Sequence, residues 1–336
     1  MSWGELYGTL TGYQAAAVLM AAERVGLIRA LAAGGGTIDG LAAATGASAR
    51  GVEVLVGSFA ALGLVQRAGD GERWHLSAVA APLATDGPDG LDRLIRKEAV
   101  FYGLWGRLAD AVASGDALLA PFADRARTDP AAAEGFLLAL NDLAGRVAPD
   151  LVPAARLGAA RTLADVGGGG AAYALAFAGA HPDLAVTIVE QQPVVPISER
   201  AVAAGAKAAG PAAARVRVVA GDATTRGLGL GGERFDAALL SHVLHDLDGP
   251  TAHAAVLGTA SALARRGTLL VHDVFHEKGA TDPVIALFDV MMFVENPGGT
   301  THALADVRSW IAEAGLGDVE ETDLGFTTLL RAVAPS

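Results

Sequence analysis

The 336-residue chain carries 25 Lys+Arg against 37 Asp+Glu, a formal net charge of −12, with 52% hydrophobic and 18% charged residues and no cysteine. This excludes a disordered chain and any disulfide or cysteine-ligated metal, fits about two domains, and argues against a nucleic-acid partner, which needs clustered cations. The start, Met1-Ser-Trp-Gly-Glu-Leu, has no basic stretch leading into an apolar run, and no window of about 18 residues is apolar without breaks, so a cytoplasmic protein with no membrane partner is expected.

Residues 1–85 read as short helices closing on a hairpin. Val18, Ala22, Val25 and Leu31 fall near helical spacing, and Gly34-Gly-Gly ends the run. Thr37-Ile-Asp-Gly-Leu opens a short capped helix, and 49–62 a second apolar one. Two short strands follow, 63–67 and 73–77, around a turn at Gly69-Asp70-Gly71. Helix, turn, helix and two-stranded wing form a winged-helix pattern. The helix that would read a DNA groove offers one cation, Arg50, and one anion, Glu53, among apolar and small residues. Groove reading needs several Lys, Arg, Asn or Gln side chains, so this domain is expected to pack on protein, including its own copy.

Residues 86–155 read as helical linker, with an aromatic cluster from Phe101 to Trp105, a helix over about 131–147, and a linker marked by Pro153 and Gly158. The rings suit a core; Trp105 is also a candidate pocket wall for a flat ligand. From Thr162 the grammar changes. Short apolar strands at 162–166, 185–190, 215–220, 235–240 and 268–272 alternate with alanine-rich helices, and 318–323 with 326–332 makes a terminal antiparallel hairpin. The expected fold class is α/β: a doubly wound, mostly parallel, Rossmann-like seven-stranded domain over 156–336, behind a mostly helical winged-helix domain.

The first strand of that domain breaks into Gly167-Gly-Gly-Gly before a helix, where a ligand can approach backbone N–H groups closely. Gly167, Gly169 and Ala172 fit the dinucleotide pattern; Asp165 before Gly167 and Gly169 fits an S-adenosylmethionine pattern equally well. Glu190, ending the second strand, can accept both ribose hydroxyls of either cofactor. Gly221-Asp222-Ala223 suits an adenine edge, with Ser241 nearby, and no Tyr-x-x-x-Lys pair is present for hydride chemistry. An anionic cleft also favours a sulfonium over a pyrophosphate, which selects S-adenosylmethionine.

With these motifs in this order, the chain resembles the small-molecule O-methyltransferases that include plant caffeate and antibiotic-tailoring enzymes. The resemblance rests on Tyr13…Ala-Ala-Glu-Arg-Val-Gly-Leu, Leu41-Ala-Ala-Ala-Thr-Gly, Asp165-Val-Gly-Gly-Gly, Gly221-Asp222, Leu240-Ser-His-Val-Leu-His-Asp, Asn296-Pro-Gly-Gly and Trp310-Ile-Ala-Glu-Ala-Gly-Leu. It implies a homodimer through residues 1–85, a substrate lid over 86–155, and a small aromatic or polyketide-like acceptor. It implies His245 as the general base for a substrate hydroxyl and Asp273 as the carboxylate orienting it. It places Met292 and Asn296 against the acceptor, with Phe288 on the same helix. An imidazole near pKa 6.5 would be mostly free to accept a proton at neutral pH. Asp246 is expected to be a helix N-cap or structural group.

Departures from the family pattern are Thr301 where an acidic residue often stands, Leu247 where an aromatic is common, and Glu190-Gln-Gln-Pro at the second strand. They keep open C- or N-methylation, or a non-methylating reaction, on the same scaffold. His242, His245, Asp246, His272, Asp273 and His302 raise a metal alternative, although no metal is the expectation adopted.

Overall fold

The computed structural model describes residues 1–69, 71–277 and 282–335. They form two compact units, Met1–Gly103 and Leu104–Ser336.

The first unit contains helices Trp3–Thr11, Tyr13–Arg24, Leu27–Ala32, Ile38–Thr45 and Ala49–Ala61, then antiparallel strands β1 (Val65–Arg67) and β2 (Trp74–Leu76). Local chemistry sets the helix starts. Ser2 and Glu5 form a reciprocal capping box, and the hydroxyls of Thr37 and Ser48 accept from the N–H groups of Gly40 and Gly51. The run expected over 13–31 is two helices. Val25 ends the first, and Gly26 at φ 78° turns the chain, which lets Leu27, Ile28 and Leu31 reach the core with Val52, Val56 and Phe59. Burying each such side chain contributes roughly 1.5–3 kcal/mol. Asp70 of the expected wing turn lies outside the described residues. The first helix, Trp3–Thr11, buries none of its own residues.

The second unit is built on a seven-stranded sheet. Its strands are β3 (Thr162–Val166), β4 (Ala185–Glu190), β5 (Val216–Ala220), β6 (Phe235–Ser241), β7 (Leu263–Asp273), β10 (Gly317–Asp323) and β11 (Thr328–Val333), with β8 (Phe275–His276) and β9 (His302–Ala303) as a separate parallel pair. The order is β10-β11-β7-β6-β3-β4-β5; all neighbours are parallel except β11 with β7 and with β10. Both faces are covered, so adjacent residues serve opposite cores. Leu240 and Val271 lie in one with Phe235 and Val307; Leu239 and Leu270 lie in the other with Phe177 and Ile188. β7 starts at Leu263, five residues before the expected strand.

The expected linker at Pro153 is instead helix. Pro130–Ala154 runs 25 residues through Pro149 and Pro153. Each proline removes an internal N–H donor, and the burial of Ala148, Leu151 and Val152 against the sheet offsets that loss. The chain turns only afterwards, at Arg156 with φ 45° and Gly158 with φ 57°. No helix among the described residues is long and apolar enough to cross a membrane.

Candidate active site

Asp165, Glu190, Gly221, Ser241 and Asp273 all stand at or just past the carboxyl ends of parallel strands, on the edge where open α/β sheets bind ligands. After β3 the backbone turns sharply: Gly167 has φ 74°, Gly169 φ 44° and Ala171 φ 67°. The loop has no room for side chains. A Cβ on Gly168 would lie 2.6 Å from the Asp165 carboxylate, and one on Gly170 2.8 Å from Asn141 Oδ1. Asn141 and Leu137 come from the helix Pro130–Ala154, which therefore lies against this loop.

Glu190 Oε1 accepts from Gly169 N at 2.8 Å and Oε2 from Gln191 N at 3.1 Å. Each oxygen keeps a lone pair for a further donor. Asp165, 1% exposed, makes no well-formed hydrogen bond among the described residues, and neither does buried Asn141 Oδ1. Burial pushes the Asp165 carboxyl up to about 7, the Glu190 charge adding to it and the Ala174 N–H offsetting part. Burial likewise pushes Glu190 up to about 7 against its two N–H bonds. Two buried carboxyls that a cation would hold ionised, with an unsatisfied amide, around a side-chain-free loop fit a cationic ligand carrying hydroxyl donors, which is the chemistry of S-adenosylmethionine. At the neighbouring edge, exposed Asp222 accepts from Thr224 N and Oγ1, both at 2.8 Å, and Ala223 follows it. Ser241 Oγ is committed to His272 Nδ1 at 2.8 Å.

His245 lies in a single 3-10 turn, Leu244–Asp246, after β6. Its Nδ1 is 2.5 Å from Asp273 Oδ1. Asp273 also accepts from Leu244 N at 3.0 Å and from Val274 N at 2.7 Å, so one carboxylate orients the imidazole and fixes the turn that carries it. The turn is held from outside as well. Thr300 N donates to His245 O at 2.9 Å, and His302 Nε2 donates to Leu244 O at 2.8 Å. Burial pulls the His245 pKa down, but the carboxylates of Asp273, Asp246 and Glu295 outweigh it and raise it to about 9. Asp273 lies well below the usual carboxylate range: burial acts upward, and His245 with its hydrogen bond overcomes it.

Of the other expected residues, Phe288 and Asn296 fall beside this dyad. The Phe288 ring meets His245 edge-on, centroids 5.1 Å apart at 84°. Asn296 Nδ2 donates to Asp246 Oδ1 at 2.6 Å, and that oxygen is 3.6 Å from His245 Nε2. Met292 is buried on the same helix, Pro283–Glu295. Trp105 is half-buried at the end of the helix Asp92–Trp105. Asp246 is not the N-cap. That role belongs to Asp248, which accepts from Thr251 N at 2.8 Å ahead of the helix Gly249–Ala260, while Asp246 faces His245 because the 3-10 turn places consecutive side chains on neighbouring sides.

His242, at φ 54°, presents its ring to His245 and His272 at 5.5 and 4.9 Å. Of the six residues raised for a metal, only His242, His245 and Asp273 converge, with one ligand atom each within 4.8 Å of one another. In this arrangement His245 Nδ1 is engaged by Asp273 rather than open.

The sequence model of the O-methyltransferase domain matches residues 105–317. A 3-hydroxy-5-methyl-1-naphthoate 3-O-methyltransferase from Streptomyces sahachiroi is 30% identical over 315 residues, 92% of this chain and 88% of that one. A tetracenomycin polyketide synthesis 8-O-methyl transferase from Streptomyces glaucescens is 24% identical over 95% of this chain and 93% of its own length. Among solved structures, human N-acetylserotonin methyltransferase in complex with SAM superposes with TM-score 0.85 at 20% identity, covering 99% of this chain and 98% of that one, which shows the same fold. A loop that fits a sulfonium cofactor, a His–Asp dyad at the same sheet edge and a family match over most of the chain converge, and the chain belongs to the S-adenosylmethionine-dependent O-methyltransferase family.

Proposed function

We propose that the protein methylates a hydroxyl of a flat aromatic or polyketide-like natural-product intermediate, with His245 as general base and Asp273 as its orienting carboxylate. The observation that carries this reading is the buried His245–Asp273 pair with the Phe288 ring edge-on to it. Gly167 and Gly169 would let the cofactor approach the backbone beside Asp165, Glu190 would accept its ribose hydroxyls, and Asp222 and Ala223 would line its adenine edge with Ser241 nearby. Bound there, S-adenosylmethionine supplies an electrophilic methyl group. His245 Nε2 takes the acceptor's hydroxyl proton, and Asp273 stabilises the imidazolium by holding Nδ1–H. Phe288, Met292, Asn296 and Trp105 are read as acceptor contacts. The acceptors named for the two Streptomyces relatives, a naphthoate and a tetracenomycin polyketide, support a fused aromatic ring system.

Assembly is part of the same reading. Residues 1–85 form the dimer interface and 86–155 the substrate lid, in a cytoplasmic homodimer. The exposed Trp3, Leu6, Leu10 and Tyr13 of the first two helices support this, since apolar residues grouped so closely are costly in water.

Calorimetric titration with S-adenosylhomocysteine, and NAD in parallel, tests the cofactor site; binding of NAD instead would overturn it. His245→Ala should lower turnover about 10²–10⁴-fold while leaving S-adenosylhomocysteine affinity nearly unchanged. Unchanged turnover would remove His245 from the reaction. Product mass and NMR separate O-methylation from C- or N-methylation.

A further inference from the structure

We propose that the C-terminal hairpin turn forms a wall of the acceptor pocket, and that Phe326 packs on the aromatic ring of the acceptor and sets how large a ring system fits. This rests on the acceptor reading above and adds a residue from a different part of the chain.

Aromatic contacts run outward from the base. His245 meets Phe288 edge-on at 5.1 Å, and Phe288 meets Phe326 edge-on at 5.6 Å and 84°. Phe326 is nevertheless 49% exposed, so this ring is only partly covered by the protein. On the helix Pro283–Glu295, Val284 and Leu287 are also exposed, at 60% and 59%, and with Phe288 and Met291 they have the i, i+3, i+4, i+7 spacing of one helix face. An apolar stripe that leads to the base, left open along its outer half, fits a flat apolar ring better than a polar or charged ligand.

The turn is held in place. Asp323 pairs with Thr328, Leu324 N donates to Thr327 O at 2.9 Å, and the two-residue loop is Gly325, at φ 88°, then Phe326. Glycine first is the residue order of a tight primed turn. Gly325 N donates to Asp323 Oδ1 at 2.8 Å. Thr327 Oγ1 bonds His272 Nε2 at 2.7 Å, and His272 holds Ser241 through its other nitrogen. A ring presented from so constrained a turn loses little freedom when a ligand packs on it.

The test is a fluorescence titration of 2-naphthol into the protein saturated with S-adenosylhomocysteine. Phe326→Ala should weaken naphthol binding about fivefold, the size of one aromatic contact, with S-adenosylhomocysteine affinity and oligomeric state unchanged, and Phe326→Tyr should restore it. Naphthol affinity undiminished in Phe326→Ala overturns the proposal while the acceptor reading stands. No naphthol binding by the parent protein overturns both. A change of oligomeric state with undiminished affinity assigns the stripe to contact between copies of the chain and also overturns it.

Discussion

At the scale of the residue, His245, the proposed base, differs from what an isolated histidine would offer. A His245 pKa raised to about 9 leaves about one molecule in a hundred deprotonated at pH 7, but that fraction is well matched to a phenol near pKa 10. The reactive form is the deprotonated one, so kcat/KM should climb roughly tenfold per unit as pH rises toward 9 and flatten above it. A profile already flat between pH 7 and 9 would mean that the carboxylates around His245 do not hold its pKa above 7. His242 and His272 contribute no competing basicity: burial lowers them to about 4 and about 3, so both stay neutral through this range. Asp246, pushed up to about 6 by burial, is charged in this pH range and faces His245 Nε2, the nitrogen proposed to take the proton.

At the scale of the element, strands buried on both faces were the easiest to read. Thr162–Val166 and Ala185–Glu190 match their expected bounds, because short, mostly apolar runs ended by Gly or Glu leave little choice. Helix ends were harder. The stop expected at Pro153 fails because tertiary burial overrides a local breaker, and the break at Gly26 hides inside an apolar periodicity that continues past it. The candidate site divides the same way. Gly167 and Glu190 were legible because they stand at strand ends, and His245 and Asp273 through the family resemblance. Asn141, Phe326 and Thr327 were not, since a helix or hairpin far away in sequence delivers them. The N-cap expected at Asp246 falls two residues later, at Asp248, because a 3-10 turn separates the strand from the helix. Packing between elements is equally exacting at Gly258, where a Cβ would lie 2.1 Å from Ala223 O. Gly258→Ala should cost about 1–3 kcal/mol and lower the thermal midpoint by several degrees. Because Ala223 follows Asp222, weaker S-adenosylhomocysteine binding should accompany it; an unchanged midpoint would show that the helix Gly249–Ala260 can shift freely.

At the scale of the whole molecule, the N-terminal helix contributes nothing to its own unit's core, yet it stacks Trp3 on Tyr7 at 5.1 Å and leaves Leu10 72% exposed. Replacing Trp3 and Leu10 together by Asp should convert a dimer into monomers in size-exclusion chromatography with light scattering. The unfolding midpoint of the unit itself should move little, since neither side chain is buried in it. A dimer that survives the double substitution would place its interface elsewhere.

The sheet has a further consequence for how such a chain comes off the ribosome. β11 follows every other strand of the sheet in sequence but lies inside it, between β10 and β7. Until it emerges, β7 has an open edge, and His272 lacks the Thr327 hydroxyl that ties it down. The half made of β3 to β5 can pair during synthesis, whereas the edge of β7, the strand that ends in Asp273, is completed only when β11 appears. A nascent chain therefore holds β7, with its apolar Leu269, Leu270 and Val271, at an open edge until β11 emerges, and an unpaired apolar edge is a template for pairing with other chains.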